Sequence, residues 1–123
     1  APQGAVRARG SRPEVAALLA RVRALSNKTD VVRTELDTAA GLLAQAAKLD
    51  PTDANVWAEW ALVDRRYVEE CFDRSPARLE SARRHATQAV GIDPSNPWAR
   101  LADASTMVVL NTGDAANAST MVL

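Results

Sequence analysis

The 123-residue chain is poor in the residues that carry redox chemistry and metal binding. It has one cysteine, Cys71, so no disulfide can form within it. Its only histidine, His85, has no second histidine or cysteine at helical spacing, which disfavours a metal site there. We expect His85 to lie on a helix surface. Gly-rich phosphate loops and nucleophile-elbow motifs are missing as well. These absences predict a non-catalytic protein with no cofactor and no metal.

The chain also has no excess of positive or negative charge, since its fifteen basic and fifteen acidic residues cancel. Zero net charge argues against a dedicated nucleic-acid binder or a binder of acidic membrane surfaces. A local basic arm at Arg7, Arg9 and Arg12 leaves two interpretations open, a solvated leader or a contact with an acidic partner such as nucleic acid. No apolar run is long enough to cross a membrane. No signal peptide is visible, so a cytoplasmic location is the default expectation, although a signal removed before Ala1 would leave no trace.

Apolar residues recur at the helical period along most of the chain, and prolines and glycines fall between the periodic segments. We predict a leader at 1–12 and an all-α domain at 13–123. The third helix is predicted from about Ala54 to Phe72, continuing through Tyr67 and Val68. A fourth helix begins at Ser75-Pro76, with serine as the N-cap. A fifth begins near Pro97.

The end of the chain leaves two interpretations. Residues 104–108 and 118–122 have the same sequence, Ala-Ser-Thr-Met-Val. We expect a turn at Asn111–Asp114 and a sixth helix from Ala115 to Leu123. Because serine, threonine and valine favour strands, a β-hairpin of 104–110 with 117–123 is the alternative.

Two segments match when they are aligned on Pro51 and Pro94. The first is Ala39-x-x-x-Leu43-x-x-Ala46-x-x-Leu49-Asp50-Pro51, followed by Trp57-x-x-Trp60-Ala61. The second is Ala82-x-x-x-Ala86-x-x-Ala89-x-x-Ile92-Asp93-Pro94, followed by Trp98-x-x-Leu101-Ala102. Spaced alanines place small side chains on one helix face, which lets two helices pack closely. Proline then ends the helix.

This pattern resembles the tetratricopeptide repeat (TPR) family, in divergent bacterial-type repeats with a proline-to-proline period longer than the family's. The resemblance implies antiparallel helical hairpins stacked as a short right-handed superhelix, with units at about 13–52 and 53–96 and a partial repeat at 97–123. An unrelated helical bundle is the alternative. The arginine excess over lysine suggests a GC-rich bacterial genome. We expect the chain to be part of a larger bacterial protein.

The resemblance also implies a concave groove, lined by the first helix of each hairpin, that binds a peptide or partner protein. For Arg65 and Arg66, pairing along the helix is the alternative to ligand contact. Of the basic residues that a carboxylate clamp needs, only Arg100 fits. The candidate groove residues are Asn55, Ala58, Leu62, Arg65, Arg66, Asn96, Ala99, Arg100 and Asp103.

The expected function is therefore a protein-interaction scaffold. The alternative is a structural segment that self-assembles through the same hairpins. The chain carries no charge after Asp114, and a last helix of about nine residues is marginal alone, so it must dock on something. A homodimer through this helix is one expectation.

Overall fold

The computed structural model describes the backbone of residues 10–122 and the side chains of residues 10–111. Within that range the chain is all-helical and has no strand, so the hairpin alternative for the last segment is wrong. Most of the predicted leader lies outside the described residues, as do Arg7 and Arg9. The helices are α1 (Pro13–Ser26), α2 (Arg33–Leu49), α3 (Ala54–Glu69), α4 (Pro76–Ile92) and α5 (Pro97–Val122).

Two Asp-Pro turns end α2 and α4 in the same way. Asp50 accepts hydrogen bonds from the backbone nitrogen of Thr52 at 3.1 Å and from its hydroxyl at 2.7 Å. Asp93 accepts from the backbone nitrogen and hydroxyl of Ser95 at 3.1 and 2.8 Å. The aspartate thus fixes the turn while the following proline prevents helix continuation. The turn was predicted from the prolines, and the side-chain bonds explain why aspartate precedes them.

The loop after α3 is a Schellman motif. The Phe72 N–H donates to the Tyr67 carbonyl at 2.9 Å, and the Cys71 N–H donates to the Val68 carbonyl at 3.1 Å. Cys71 has φ 61°, the left-handed conformation that this motif requires and that glycine adopts at lower cost. The helix therefore ends at Glu69, three residues before the predicted Phe72, whereas its predicted continuation through Tyr67 and Val68 is confirmed.

Each helix packs against a small set of neighbours. Helix α1 packs on α2, and α3 packs on α4, in each case across a short loop. Helix α3 also packs on α1 and α2, and α5 packs on α3 and α4. The backbones of α2 and α4 do not come close to each other. Helix α3 lies between the α1–α2 pair and α4, and α1, α3 and α5 pack in succession.

The two helical interfaces have different chemistry. The core between α1, α2 and α3 is built from large side chains such as Leu19, Leu36, Leu43 and Val63. Most of the core between α3, α4 and α5 is built from alanines, with Trp57, Leu62 and Val90 at its edge, and a smaller cluster of Val68, Leu79 and Val109 completes it. Alanine allows the helix backbones to approach closely, as the sequence predicted. The six buried alanines are Ala58, Ala61, Ala86, Ala89, Ala99 and Ala102.

Helix α5 is continuous from Pro97 to Val122, so the predicted turn at Asn111–Asp114 and the separate sixth helix are wrong. At about 1.5 Å per residue its 26 residues span about 39 Å. Gly113 in a helix costs about 1 kcal/mol relative to alanine, but it leaves the backbone hydrogen bonds intact. No proline follows Pro97, so nothing in this segment blocks the helical ladder.

The two matched segments are in a different register from the one that the tryptophans suggest. Helix α3 begins three residues after Pro51, and α5 begins three residues after Pro94. The two links from proline to helix are therefore equal in length, so matching Trp98 to Trp57 by residue type shifts the two segments by two residues. In this register Trp98 takes the position of Asn55, not of Trp57.

Candidate partner-binding face

An arginine from α1 joins the three first helices on one side of the molecule. The Arg23 Nε donates to Glu59 Oε1 on α3 at 2.6 Å. Its guanidinium also lies 4.9 Å from the centre of the Trp98 ring on α5. Glu59 is buried, whereas Trp98 remains 41% exposed. Arg23 thus holds α1, α3 and α5 in register while its own side chain stays 37% exposed.

Helix α3 contributes further side chains to this side. Leu62 and Arg66 follow Glu59 at steps of three and four residues, which places all three on one helix face. Both are partly exposed. Arg66 pairs with Glu70 at 3.2 Å and donates to the Lys28 carbonyl at 2.8 Å, which ties α3 to the loop after α1. We call the surface formed by Arg23, Glu59, Leu62, Arg66 and Trp98 the arginine–tryptophan face.

A ladder of amides runs along the amino ends of the same three helices. The Asn96 amide donates to Asn55 Oδ1 at 2.9 Å, and the Asn55 amide donates to the Ser11 hydroxyl at 3.2 Å. Asn96 Oδ1 also caps α5 by accepting from the Trp98 N–H at 2.8 Å and the Ala99 N–H at 3.1 Å. The ladder fixes the angle at which α5 leaves its turn, and therefore where Trp98 lies.

Six of the nine predicted groove residues have at least partly exposed side chains, and the other three are buried. Asn55, Leu62 and Arg66 lie on the side of α3 that carries the arginine–tryptophan face, although Asn55 is bonded to its neighbours. Arg65 pairs with Glu69 at 3.1 Å, so both arginines make the intrahelical pairs that were the alternative to ligand contact. Asp103 is partly buried, and Arg100 is exposed.

Three of the predicted groove residues do not face a groove. Ala58 and Ala99 are fully buried in the alanine core, and Asn96 is 2% exposed. Asn96 and Ala99 were placed wrongly because the prediction matched Trp98 to Trp57, which shifts the positions on α5 by two residues. Ala58 lies on α3, so its misplacement does not come from that match. Trp98 was missed because of the same shift, and aligning the two segments on the equal Asp-Pro links would have found it. Arg23 and Glu59 pair across 36 residues of sequence, a contact that no local pattern reveals.

A second cluster, centred on Asp64, was also missed. Asp64 is fully buried and accepts from Arg78 Nη1 at 2.7 Å, Ser81 Oγ at 2.9 Å and His85 Nδ1 at 2.8 Å. The His85 ring stacks on Trp60 with a centroid separation of 4.5 Å. His85 is thus largely buried between α3 and α4, and its predicted place on the helix surface is wrong. The signal available in the sequence was the four-residue spacing of Ser81 and His85, which places both side chains on one face of a helix.

Electrostatics keep Arg78 and the neighbouring Asp73 in their charged forms. Burial alone would lower the pKa of Arg78, but the hydrogen bonds and negative charges of Asp64 and Asp73 outweigh it and raise that pKa. Burial likewise opposes ionisation of Asp73, yet hydrogen bonds from Ser75 and Arg78 hold its pKa below the ordinary value. Arg78 also lies 3.8 Å from the Tyr67 ring centre.

The geometry of this cluster is not that of a Ser-His-Asp triad. In a triad the carboxylate bonds one imidazole nitrogen and the serine hydroxyl bonds the other. Here Ser81 donates to the same Asp64 oxygen that accepts from His85 Nδ1, and its hydroxyl lies 3.5 Å from that same nitrogen. The hydroxyl is therefore bound to the acid and has no base positioned to activate it. The cluster joins α3 to α4.

A cavity of about 310 Å³ lies between the two Asp-Pro turns. Asp53 lines it and caps α3 through Oδ1, while its buried Oδ2 has no hydrogen-bond partner among the described residues. In the part of the chain with described side chains, no group of three or more potential ligands is placed to hold a metal ion. The lining comprises Thr52, Asp53, Ala54, Ile92, Asp93 and Asn96.

Arg12 is the one residue of the predicted basic arm that the structure describes. Its Nε lies 3.7 Å from Asp50, and its Nη1 donates to the Leu49 carbonyl at 3.4 Å. This arginine therefore anchors the start of α1 to the end of α2.

Across the described helices, none combines the length and apolarity needed to span a bilayer. The chain matches no protein-family model, no curated protein and no solved structure.

Proposed function

We propose that the protein is a non-catalytic interaction module that binds a segment of a partner protein on its arginine–tryptophan face. The observation that carries the proposal is Trp98, a large aromatic side chain held in place and yet 41% exposed. Tryptophan and arginine are the residues most enriched at binding hot spots, because they bury large areas and can also form polar contacts. Arg23 stacks on Trp98 and is itself held by the buried Glu59.

Pre-organisation supports this assignment. Since Arg23 is fixed by an ion pair and Trp98 by the capped start of α5, little side-chain freedom is lost when a ligand packs on them. The positive charges of Arg23 and Arg66 are balanced by Glu59 and Glu70. The face is therefore suited to a partner segment with an apolar side chain that packs on Trp98 and Leu62. Backbone carbonyls of that segment can accept hydrogen bonds from the guanidinium groups.

The succession of α1, α3 and α5 supports the finer proposal of TPR-like stacked hairpins whose first helices bear the binding surface. Two equal Asp-Pro links and the recurring Asx turns support a repeated unit of the same kind. The Asp64 cluster, bonded internally, supports a non-catalytic role.

The test is selection from a random-peptide phage library, followed by affinity measurements on the purified protein. Peptides selected on the wild type should contain a recurring apolar or aromatic anchor and should lose at least about tenfold in affinity for Trp98→Ala. Leu49→Ala is the matched control, since Leu49 is an exposed apolar residue on α2. Selected peptides that bind Trp98→Ala as well as the wild type, or a library that yields no binder, would contradict the proposal.

A further inference from the structure

Helix α5 carries an apolar stripe that faces solvent. Leu101 is 49% exposed, Met107 59% and Val108 66%, and Ala104 is exposed as well. Leu101, Ala104 and Val108 lie at steps of three and four residues, so they share one helix face. Met107 borders it. Trp98 precedes Leu101 by three residues and so borders the stripe, and its ring lies 4.9 Å from the Arg23 guanidinium.

The equivalent positions of α3 are covered by other helices. The 43-residue offset between Pro51 and Pro94 relates Leu101 to Ala58 and Ala104 to Ala61. Ala58 and Ala61 are fully buried in the alanine core, against α4 and α5. The same offset relates Met107 to Asp64, which is buried under Arg78, Ser81 and His85 of α4. In this fold, therefore, a helix occupies the space over these positions, and on α5 the described residues leave it open.

The stripe has the spacing of a helix that pairs with its own copy. Leu101 and Val108 are seven residues apart, and Ala104 and Asn111 follow each of them by three. In the sequence, the same spacing continues at Ala115, Ala118 and Val122, within a helix that runs to Val122. Apolar residues at alternating steps of three and four are the pattern by which two helices interlock, and six of these seven positions are apolar, with Asn111 as the exception.

We propose that two copies of the chain associate through this stripe, α5 against α5, as a two-fold symmetric dimer. A two-fold contact places the same patch against itself, so a patch with like charges would repel its copy. The described side chains of the stripe, from Leu101 to Asn111, carry no charge at the stripe positions. The small side chain of Ala104 allows the two helices to approach closely, as alanines do in the core. This inference does not depend on the proposed function, because the stripe and the arginine–tryptophan face share no residue.

The test is sedimentation velocity of the full chain from micromolar concentration to about 1 mM. The wild type should change from monomer to dimer in this range. Leu101→Glu should weaken dimerisation at least about tenfold, because it would place two carboxylates in the contact. Leu49→Glu is the matched control, since Leu49 on α2 is 48% exposed, close to Leu101. Circular dichroism of each variant establishes that the helices are intact.

Three results would overturn the inference. A wild type that remains monomeric at the highest concentration would show that the stripe does not pair with its copy. Equal loss of dimer in Leu49→Glu and Leu101→Glu would place the contact elsewhere. Loss of dimer in Trp98→Ala with none in Leu101→Glu would assign self-association to the arginine–tryptophan face instead. Retention of dimer in Trp98→Ala together with loss of peptide binding would support both proposals separately.

Discussion

Replacing Asp64 with asparagine tests how much of the fold depends on one buried charge. Asparagine has nearly the same shape, so the change removes the negative charge and leaves no cavity. Asp64 is fully buried, and Arg78, Ser81 and His85 all donate to it. Asparagine offers one acceptor oxygen and adds an amide that cannot accept a hydrogen bond from any of the three. At least one buried donor therefore loses its partner.

The cost can be bounded from the surroundings. Breaking a buried ion pair by removing one partner costs about 3–5 kcal/mol, since it leaves an uncompensated charge. Arg78 keeps its second pair with Asp73 at 3.2 Å, and its side chain is 21% exposed. We therefore expect a smaller loss than this, about 2–4 kcal/mol. That loss is a large fraction of the 5–15 kcal/mol typical of a folded domain.

The measurement is urea unfolding followed by far-UV circular dichroism at neutral pH. Glu80→Gln is the control, because Glu80 makes an exposed pair with Arg83 on the same helix, and we expect no measurable loss from it. A double-mutant cycle with Arg78→Gln should show a coupling free energy above about 1 kcal/mol. A cost below about 1 kcal/mol for Asp64→Asn would refute the view that this cluster holds α3 against α4.

Three further predictions follow from the contacts. Burial and the hydrogen bond to Asp37 raise the pKa of Tyr67, so its stabilising effect should be complete below about pH 10 and decline at higher pH. Tyr67 is the only tyrosine, so tyrosinate absorbance reports its ionisation alone. If Tyr67 ionised with a midpoint near pH 10 while circular dichroism showed the native helix content, the prediction would be contradicted. Cys71→Gly should raise the unfolding free energy by about 0.5–1 kcal/mol by relieving the left-handed conformation, and an unchanged urea midpoint would count against this. Trp57→Ala should cost about 3 kcal/mol, since Trp57 stacks on Trp60 at 5.7 Å and donates to the Pro51 carbonyl, and a cost below about 1 kcal/mol would show that it packs little.

Much of the helical framework could be predicted from the sequence. Proline and its neighbours determine helix ends locally, which is why Ser75 was correctly identified as the N-cap of α4. Apolar spacing correctly predicted the length of α3 through Val68. The predicted turn at Asn111–Asp114 was wrong because glycine and asparagine lower helix propensity without forbidding the helix.

The candidate site was harder to predict because it depends on register and on charges that the fold buries. Matching Trp98 to Trp57 by residue type gave a two-residue error, and that error placed Ala99 and Asn96 in a groove. In the sequence Asp64 stands among the charged residues Arg65, Arg66, Glu69 and Glu70, a pattern typical of a solvated helix face. Its burial depends on Arg78 from the next helix, a contact that no local pattern reveals.

The central claim is that the arginine–tryptophan face binds a partner segment, and the indole resonances test it most directly. The chain has three tryptophans, so a ¹H–¹⁵N spectrum resolves one indole signal for each of Trp57, Trp60 and Trp98. On titration with a selected peptide, the account predicts that the Trp98 indole and the Arg23 Nε–H shift most, and that the Trp60 indole, stacked on His85, shifts little. Shifts concentrated on α2 around Leu49, with the Trp98 indole unchanged, would contradict it.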